Sequence, residues 1–545
     1  MLYWMTIKHL RPSQIFWRLH RIYFANKICL DVFPPISRRQ KKFTPQNFFA
    51  RDQKIFENGT FNFLNESGNL KEIGWNSSDK SLLWRYNQHY FDCLSGFNAD
   101  SINTEAQNLI DDWVSKNPPY FGVGWQPYPT SLRIVNWIKW VFLGGIISPI
   151  SEHSLYIQSR LLAKNFEFHL LGNHLFKNAK ALIFAGIFFD GRESNKWLEY
   201  GFQILDSQLD EQILDDGGHF ERSPMYHAII LEDILDLIAI SKGKEFLFPN
   251  RVLLRLEAIS RRMFEWLSRM SHPDGRISFF NDAAFNIAPT LGEIQQYANR
   301  INFTLPNFLF GYEQLEVNHL DSSGYICVSS SKLFAILDVA PIGPDYQPGH
   351  AHADTLSFEL SIYGHRVFVN GGTSCYGVSK QRLYERSSKA HNTVTINEKS
   401  SSEVWAGFRV GRRAKVCRAD IGQTNEGFIV IGEHDGYRRL SSKNLHSRVW
   451  EIRENDILIS DKISGDYELA RSRFIVHPSL LIKKESEAKW TIKLPSKQHI
   501  TFSVLKGEAS IKKATYASEF GSIQETLCIC IDLVDGQSEA LVSWT

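Results

Sequence analysis

Seven cysteines in 545 residues (Cys29, Cys93, Cys327, Cys375, Cys417, Cys528 and Cys530) are odd in number and scattered, and no two form a C-x-x-C pair. That pattern argues against a disulfide framework or a zinc ribbon. Charge of one sign is not in surplus either. With 61 basic residues against 59 acidic ones, no bulk field marks a nucleic-acid binder, and any polyanion must be gripped locally. No stretch runs eighteen residues without charge; even KALIFAGIFFDG is too short to span a bilayer. Nucleophile and phosphate signatures are missing too: there is no G-x-S-x-G, no H-E-x-x-H and no phosphate loop.

What remains is a large globular chain, long enough for two or three domains, with 43% hydrophobic and 22% charged residues. Aromatics are plentiful, with 38 Phe, 19 Tyr and 14 Trp, which serve equally as core filler or as stacking surfaces for sugars. The amino terminus, MLYWMTIKHLRPSQIFWRLHRIYF, begins apolar but meets Lys8, His9 and Arg11 too early for a secretory signal. It reads as a basic amphipathic helix, packed on the body or lying on a membrane surface.

From about Asp100 to about Arg300 apolar residues recur at three and four, as in SLRIVNWIKWVFLGGII and HAIILEDILDLIAISK, between linkers rich in Pro and Gly. This half is a succession of helices folded as antiparallel hairpins. After about Leu320 the period becomes two. In TLSFELSIYGHRVFVNGG, Leu356, Phe358, Leu360 and Ile362 alternate with Thr355, Ser357, Glu359 and Ser361, and Tyr363-Gly364-His365 supplies a turn. Short β-prone runs (NTVTIN, GFIVIGEHDGY, DILISDKISG, TFSVLKG, LCICIDLV) continue to the end, so an antiparallel β-sandwich follows the helices with no flexible linker between them.

Polar function clusters in both halves. HLLGNHLFKN sets Gly172, Asn173 and His174 between two helical runs, where Gly172 suits a helix end and Asn173 an N-cap, or where the amide and imidazole bind an anionic group. DDGGHFERSPMYH offers Asp215, Asp216, His219, Glu221, Arg222, Tyr226 and His227, and SHPDGRISFFNDAAFN adds Asn281 and Asp282. In the β half, PGHAHADTLSFEL carries His350, His352 and Asp354, which share one face if the segment is extended; YERSSKAHNTVTIN supplies Arg386, His391 and Asn392. An H-x-H pair with a remote His is a plausible zinc set, and equally a proton-relay site without metal. Chemistry without a nucleophile, rich in Tyr, His and carboxylate-neutralising amides, fits β-elimination from a uronic acid. Asn173 and His174 would stabilise the sugar carboxylate; Tyr226 and His350 are groups suited to proton transfer. Tyr86, His89, Trp125 and Arg133, with Glu221, Arg222, Asn281 and Arg386, would line the sugar cleft.

The ordered segments LLWRYNQHYFDCL, GWQPYPTSLRIVNWIKW, GNHLFKNAKAL, GGHFERSPMYH, GHAHADTLSFEL and AHNTVTIN resemble the heparinase II/III-like polysaccharide lyases. The resemblance implies an incomplete (α/α) toroid over 41–315, an antiparallel β-sandwich over 316–545, and a cleft between them, preceded by the basic segment 1–40. It implies that Asn173 neutralises the substrate carboxylate beside His174, that Tyr226 and His350 are catalytic, and that His352 and His391 sit at metal-binding positions of zinc-holding members. At the third such position, usually Asp, this chain has Asn370, a poorer ligand. No cofactor is required for the chemistry. The partner implied is an acidic polysaccharide, with peripheral membrane contact from the amino terminus. Family likeness implies the periplasm, the amino terminus a cytoplasmic or membrane-peripheral site, and the spelling of the WRYNQHYFDCL and WQPYPTSLRIVNW segments resembles relatives tied to surface-polysaccharide assembly. Two other readings compete: a hydrolase using carboxylates from Asp215, Asp216, Glu221 and Asp282, and a non-catalytic polysaccharide-binding protein.

Overall fold

The computed structural model describes residues 2–23, 36–39, 48–51, 59–96, 103–242, 247–307 and 313–545. Cys29 and part of segment 1–40 lie outside the described residues. Two helices, α1 (Leu2–Ile7) and α2 (Pro12–Tyr23), come first. A hairpin and the short α3 (Leu70–Ile73) then lead into the helical body: α4 (Leu82–Tyr90), α5 (Asn103–Lys116), α6 (Pro127–Phe142), α7 (Pro149–Leu162), α8 (Gly172–Phe188), α9 (Arg192–Gln212), α10 (Pro224–Ser241), α11 (Asn250–Arg269) and α12 (Leu291–Arg300). Their starts are set locally. Ser81, Ser148 and Ser223 cap α4, α7 and α10 by accepting an N–H of the first turn, and Thr290 with Glu293 forms a reciprocal capping box on α12. α8 and α10 are buried on nearly every side and form the middle of the body, an incomplete (α/α) toroid.

The β half opens with a five-stranded antiparallel meander (Glu316–Leu320, Tyr325–Ser329, Leu333–Asp338, Phe358–Ile362, His365–Phe368). Tyr363 and Gly364, both at positive φ, make its last tight turn. An eight-stranded sheet and a four-stranded sheet (Glu508–Glu519, Ser522–Asp532, Ala470–Ile475, Val394–Ile396) complete the sandwich. Phe358 and Leu360 of the meander, Trp450 and Ile459 of the large sheet, and Phe474 and Ile529 of the small one share a single apolar core.

The alternation in Phe358–Ile362 does not mean that one face meets water. All five residues are buried, because the polar face lies on the toroid: His272 bonds Ser361 Oγ through Nδ1 (2.7 Å) and Glu359 through Nε2 (2.8 Å). Apolar contact joins the halves as well. Phe279 stacks on Tyr516 at 5.5 Å, and one core cluster runs from the toroid helices to Ile475, Tyr516 and Phe520. One sequence expectation is corrected here. His350–Asp354 forms no strand, and the strand begins only at Phe358; from this looped segment His350 and His352 both reach Asp282, while Asp354 accepts the Asn281 N–H.

Candidate active site

Where the toroid meets the sandwich, a cavity of about 640 Å³ is lined from α4, α6, α8 and α10 on one side and from residues 374–377, His350, Phe408 and Phe520 on the other. Asn173 and His174 reach it from the first turn of α8. That turn is entered through two positive-φ residues, Leu171 and Gly172, and a Cβ on Gly172 would lie 2.2 Å from Gln347 Nε2. Asn173 is therefore not the N-cap; the cap position is Leu171, without a side-chain bond. The Asn173 amide instead points at Glu221, with Nδ2 3.5 Å from Oε1. His174 Nδ1 lies 3.2 Å from Glu167 Oε2, and its ring sits 4.4 Å from that of Tyr128.

Tyr226 stands in the first turn of α10, fixed by Ser223, whose Oγ accepts the Tyr226 N–H and donates to the Asp282 carbonyl. Its ring lies 3.9 Å from the His350 ring, centroid to centroid, and its hydroxyl bonds that of Tyr376 at 2.8 Å. Burial pushes both phenols well above their ordinary range, so both stay protonated near neutrality. His350 is held at one nitrogen, Nδ1, by Asp282 Oδ2 at 2.8 Å, while Nε2 lies 3.6 Å from Glu221 Oε2.

Asp282 organises the site. Burial works to raise its pKa, but Arg382, bonded to both oxygens, and His350 and His352 outweigh it and hold the carboxyl well below the usual range. An ionised Asp282 takes the Nδ1–H of His350 and leaves Nε2 as the acceptor at the cavity. Glu221 behaves oppositely; burial pushes its carboxyl up.

At the other end of the cavity Lys139, Lys177, Lys180 and Arg51 meet Glu232, Asp233 and Asp236. With Asp92, which also lines that end and acts on Arg51, four cations face four carboxylates.

Of the expected cleft residues, Tyr86 lines the cavity, its phenol bonded to Gln126. The others stand behind the wall. Arg133 is fully buried, 3.8 Å from the Trp113 ring and bonded to the Gly124 carbonyl (2.9 Å) and Gln158 (2.9 Å). His89 is buried and accepts from Trp113 Nε1 (2.9 Å); burial lowers its pKa to about 3. Trp125 donates to the Asn117 carbonyl, and Arg222 to that of Ser323. Arg386 is bonded to the Ala351 carbonyl, and Asn281 to the His352 N–H and the Arg222 carbonyl. These are corrections of role. Each side chain is spent on backbone carbonyls or buried partners, so it fixes the loops that carry Glu221, Tyr226 and His350 and offers nothing to a sugar.

The proposed metal positions also change meaning. His352 Nδ1 is 3.1 Å from His391 Nε2, while Nε2 of His352 is held by Asp282 (2.8 Å). Burial lowers both imidazoles to about 4, so both are neutral. Asn370 accepts the Asn392 N–H and donates to Ser357. Among the described residues no three His, Cys, Asp or Glu side chains are grouped to hold an ion. With a committed amide at the third corner, the residues present do not fit a zinc centre.

Of the carboxylates of the hydrolase reading, Glu221 and Asp282 stand on opposite sides of the His350 ring. Asp216 is bonded to Ser323 and the Gly218 N–H, and Asp282 is saturated. Sequence reasoning missed Tyr376, whose only signal is an aromatic in a loop between Gly372 and Gly377 just after a strand, and it missed Arg382 and the lysine cluster.

Residues 108–302 match the model of the heparinase II/III N-terminus, and residues 313–545 match that of the heparinase II/III-like C-terminal region. The chain belongs to the heparinase II/III-like family. Among curated relatives, a heparin-sulfate lyase of Bacteroides stercoris is 24% identical over 383 residues, covering 60% of this chain and 55% of the relative. FtsZ-localized protein C of Caulobacter vibrioides is 24% identical over 428 residues, covering 72% and 66%. The chain thus spans about half the length of the lyase relatives it matches. A crystal structure of heparinase III superposes with a TM-score of 0.67 at 16% identity, over 98% of this chain and 85% of that one. At that identity the likeness bears on the fold, which this heparinase II/III-like chain shares over the matched length.

Proposed function

We propose that this chain is a polysaccharide lyase that cleaves a uronate-containing acidic polysaccharide by β-elimination, in the processing of a cell-surface glycan. The supporting observation is that Asn173, Tyr226 and His350 line one cavity between the halves, with Glu221 set between Asn173 Nδ2 and His350 Nε2. His350 Nε2, its lone pair exposed by the Asp282 bond at Nδ1, takes the proton from C5. The electron pair forms the C4–C5 double bond as the C4–O bond breaks, and the departing oxygen receives the Tyr226 proton, which Tyr376 helps to orient. Charge that builds on the sugar carboxylate is met by the Asn173 amide, and burial shifts Glu221 toward the neutral form that does not repel it. The lyase names of the relatives agree with this reading.

One curated relative carries a name for its location, not for a reaction, which favours a second reading: a protein that keeps the cleft and binds glycan without turnover. One experiment separates the two. The purified protein is incubated with a panel of uronate polysaccharides, and the ultraviolet absorbance of the conjugated double bond is followed. Absorbance is expected to rise with at least one glycan, and Tyr226→Phe should lower the rate on the order of 10²–10⁴-fold with binding kept. Binding without any rise, in wild type and variant alike, favours the second reading.

A further inference from the structure

Helix α2 is turned inside out. Ile15, Phe16, Leu19, Ile22 and Tyr23 fall at i, i+1, i+4, i+7 and i+8, one stripe along the helix, yet they are between 42% and 74% exposed. The opposite face holds the helix to the body. Gln14 donates to the Tyr346 carbonyl (3.3 Å), Trp17 stacks on Phe168 at 5.1 Å and Arg21 bonds His169 (2.9 Å). At the helix start, Arg11 bonds Glu211 (2.5 Å) and lies 3.6 Å over the Tyr346 ring. α1 repeats the arrangement: Thr6 and Tyr3 are fastened to Trp405, while Tyr3, Trp4 and Ile7 stay largely in the open. Eight of the twenty-four large hydrophobic residues exposed among the described residues therefore lie between positions 3 and 23. An ordinary surface helix does the reverse, and a stripe of this kind marks an interaction face.

Charge says what kind of partner fits. Residues 2–23 hold Lys8, Arg11, Arg18 and Arg21 and no Asp or Glu. Lys8 also borders a second cavity, of about 780 Å³, where Arg412, Arg413, Lys415, Arg438 and Arg439 of the sandwich outnumber Glu211, Asp345 and Asp435. A second copy docked by two-fold symmetry would set this basic face against itself, with Glu211 and Asp345 already paired to Arg11 and Arg413. An anionic bilayer takes both the apolar stripe and the cations, and the exposed Trp and Tyr suit the headgroup layer. No helix among the described residues is long and apolar enough to cross a membrane, so the fit is parallel to the surface.

We propose that α1 and α2 seat the protein on an anionic lipid bilayer, with the stripe from Ile15 to Tyr23 immersed in the headgroup layer. The inference does not depend on the catalytic reading. The test uses the full chain and sedimentation with vesicles of phosphatidylglycerol and phosphatidylcholine in equal parts, or of phosphatidylcholine alone. Wild type is expected to pellet with the mixed vesicles and to be released by added salt. The triple variant Phe16→Ser, Leu19→Ser, Ile22→Ser should lose at least about tenfold in partitioning. Because the three side chains are exposed, its thermal midpoint should match wild type; if it does not, Ile22→Ser alone replaces it, with a smaller loss expected. The proposal falls if wild type stays in the supernatant with both vesicles, or if a folded stripe variant pellets as wild type does. It falls equally if light scattering finds a wild-type dimer that the variant converts to monomer, since a second copy would then be the occupant.

Discussion

Asp282 accepts hydrogen bonds from Arg382, His350 and His352 while fully buried, so its charge is paired on every side. Asp282→Asn leaves the Arg382 guanidinium buried against a neutral amide and should cost roughly 3–5 kcal/mol, measured by urea unfolding. Its pH signature follows in sign. A depressed folded pKa means that the stabilisation is complete above the unfolded value of about 3.9 and is lost as pH falls from there toward the folded pKa; the variant should lack that slope. His352 and His391 are also depressed, to about 4, because burial disfavours their charged forms. Below about 6.5 the unfolded chain binds protons that these folded residues refuse, so the melting temperature should fall between about pH 6.5 and pH 4, and His391→Gln should flatten the fall. At this scale the sequence was partly legible. Asn173, His174, Tyr226 and His350 announce themselves by density of polar function in short loops. Tyr376 and Arg382 do not, since what makes them matter is a fold that brings positions 376 and 382 onto residues 226 and 282. Buried Arg133, His89 and Arg386 mislead for the opposite reason, because an Arg or His that braces a loop looks in sequence like one that binds a ligand.

Helix starts carry the site, and their chemistry is local. Ser223 receives the Tyr226 N–H and holds the Asp282 carbonyl, so it ties α10 to the loop that organises His350. Ser223→Ala should lower stability by about 1 kcal/mol through the lost cap. Activity on whichever glycan the wild type cleaves should fall further than that loss explains, as a drop in kcat with KM little changed, because Tyr226 and Asp282 would drift apart. Element types were readable from period alone: three-and-four spacing up to Arg300 and alternation after Leu320 mark the helices and strands that form. The start of α8 was not readable as a cap, since the helix begins two residues earlier, with Leu171 at the cap position, and leaves the Asn173 amide to point at Glu221. Nor was the buried polar face of Phe358–Ile362, because alternation is the same whether the polar side meets water or a histidine from another domain.

The two halves should unfold as one body. His272 with Glu359 and Ser361, the Phe279–Tyr516 stack and the core cluster shared by helices and strands bind the toroid to the sandwich along its length. Scanning calorimetry should show a single transition for the full chain, and a fragment ending near residue 315 should be insoluble or molten; two resolved peaks would contradict this account. The His350 imidazole and the Asp282 carboxylate bonded to its Nδ1 belong to different halves, His350 to the sandwich and Asp282 to the toroid. On the ribosome the helical half emerges first, with Asn173, Tyr226 and Asp282 but without His350. The site that these four residues make up is thus assembled only when the sandwich folds onto the toroid.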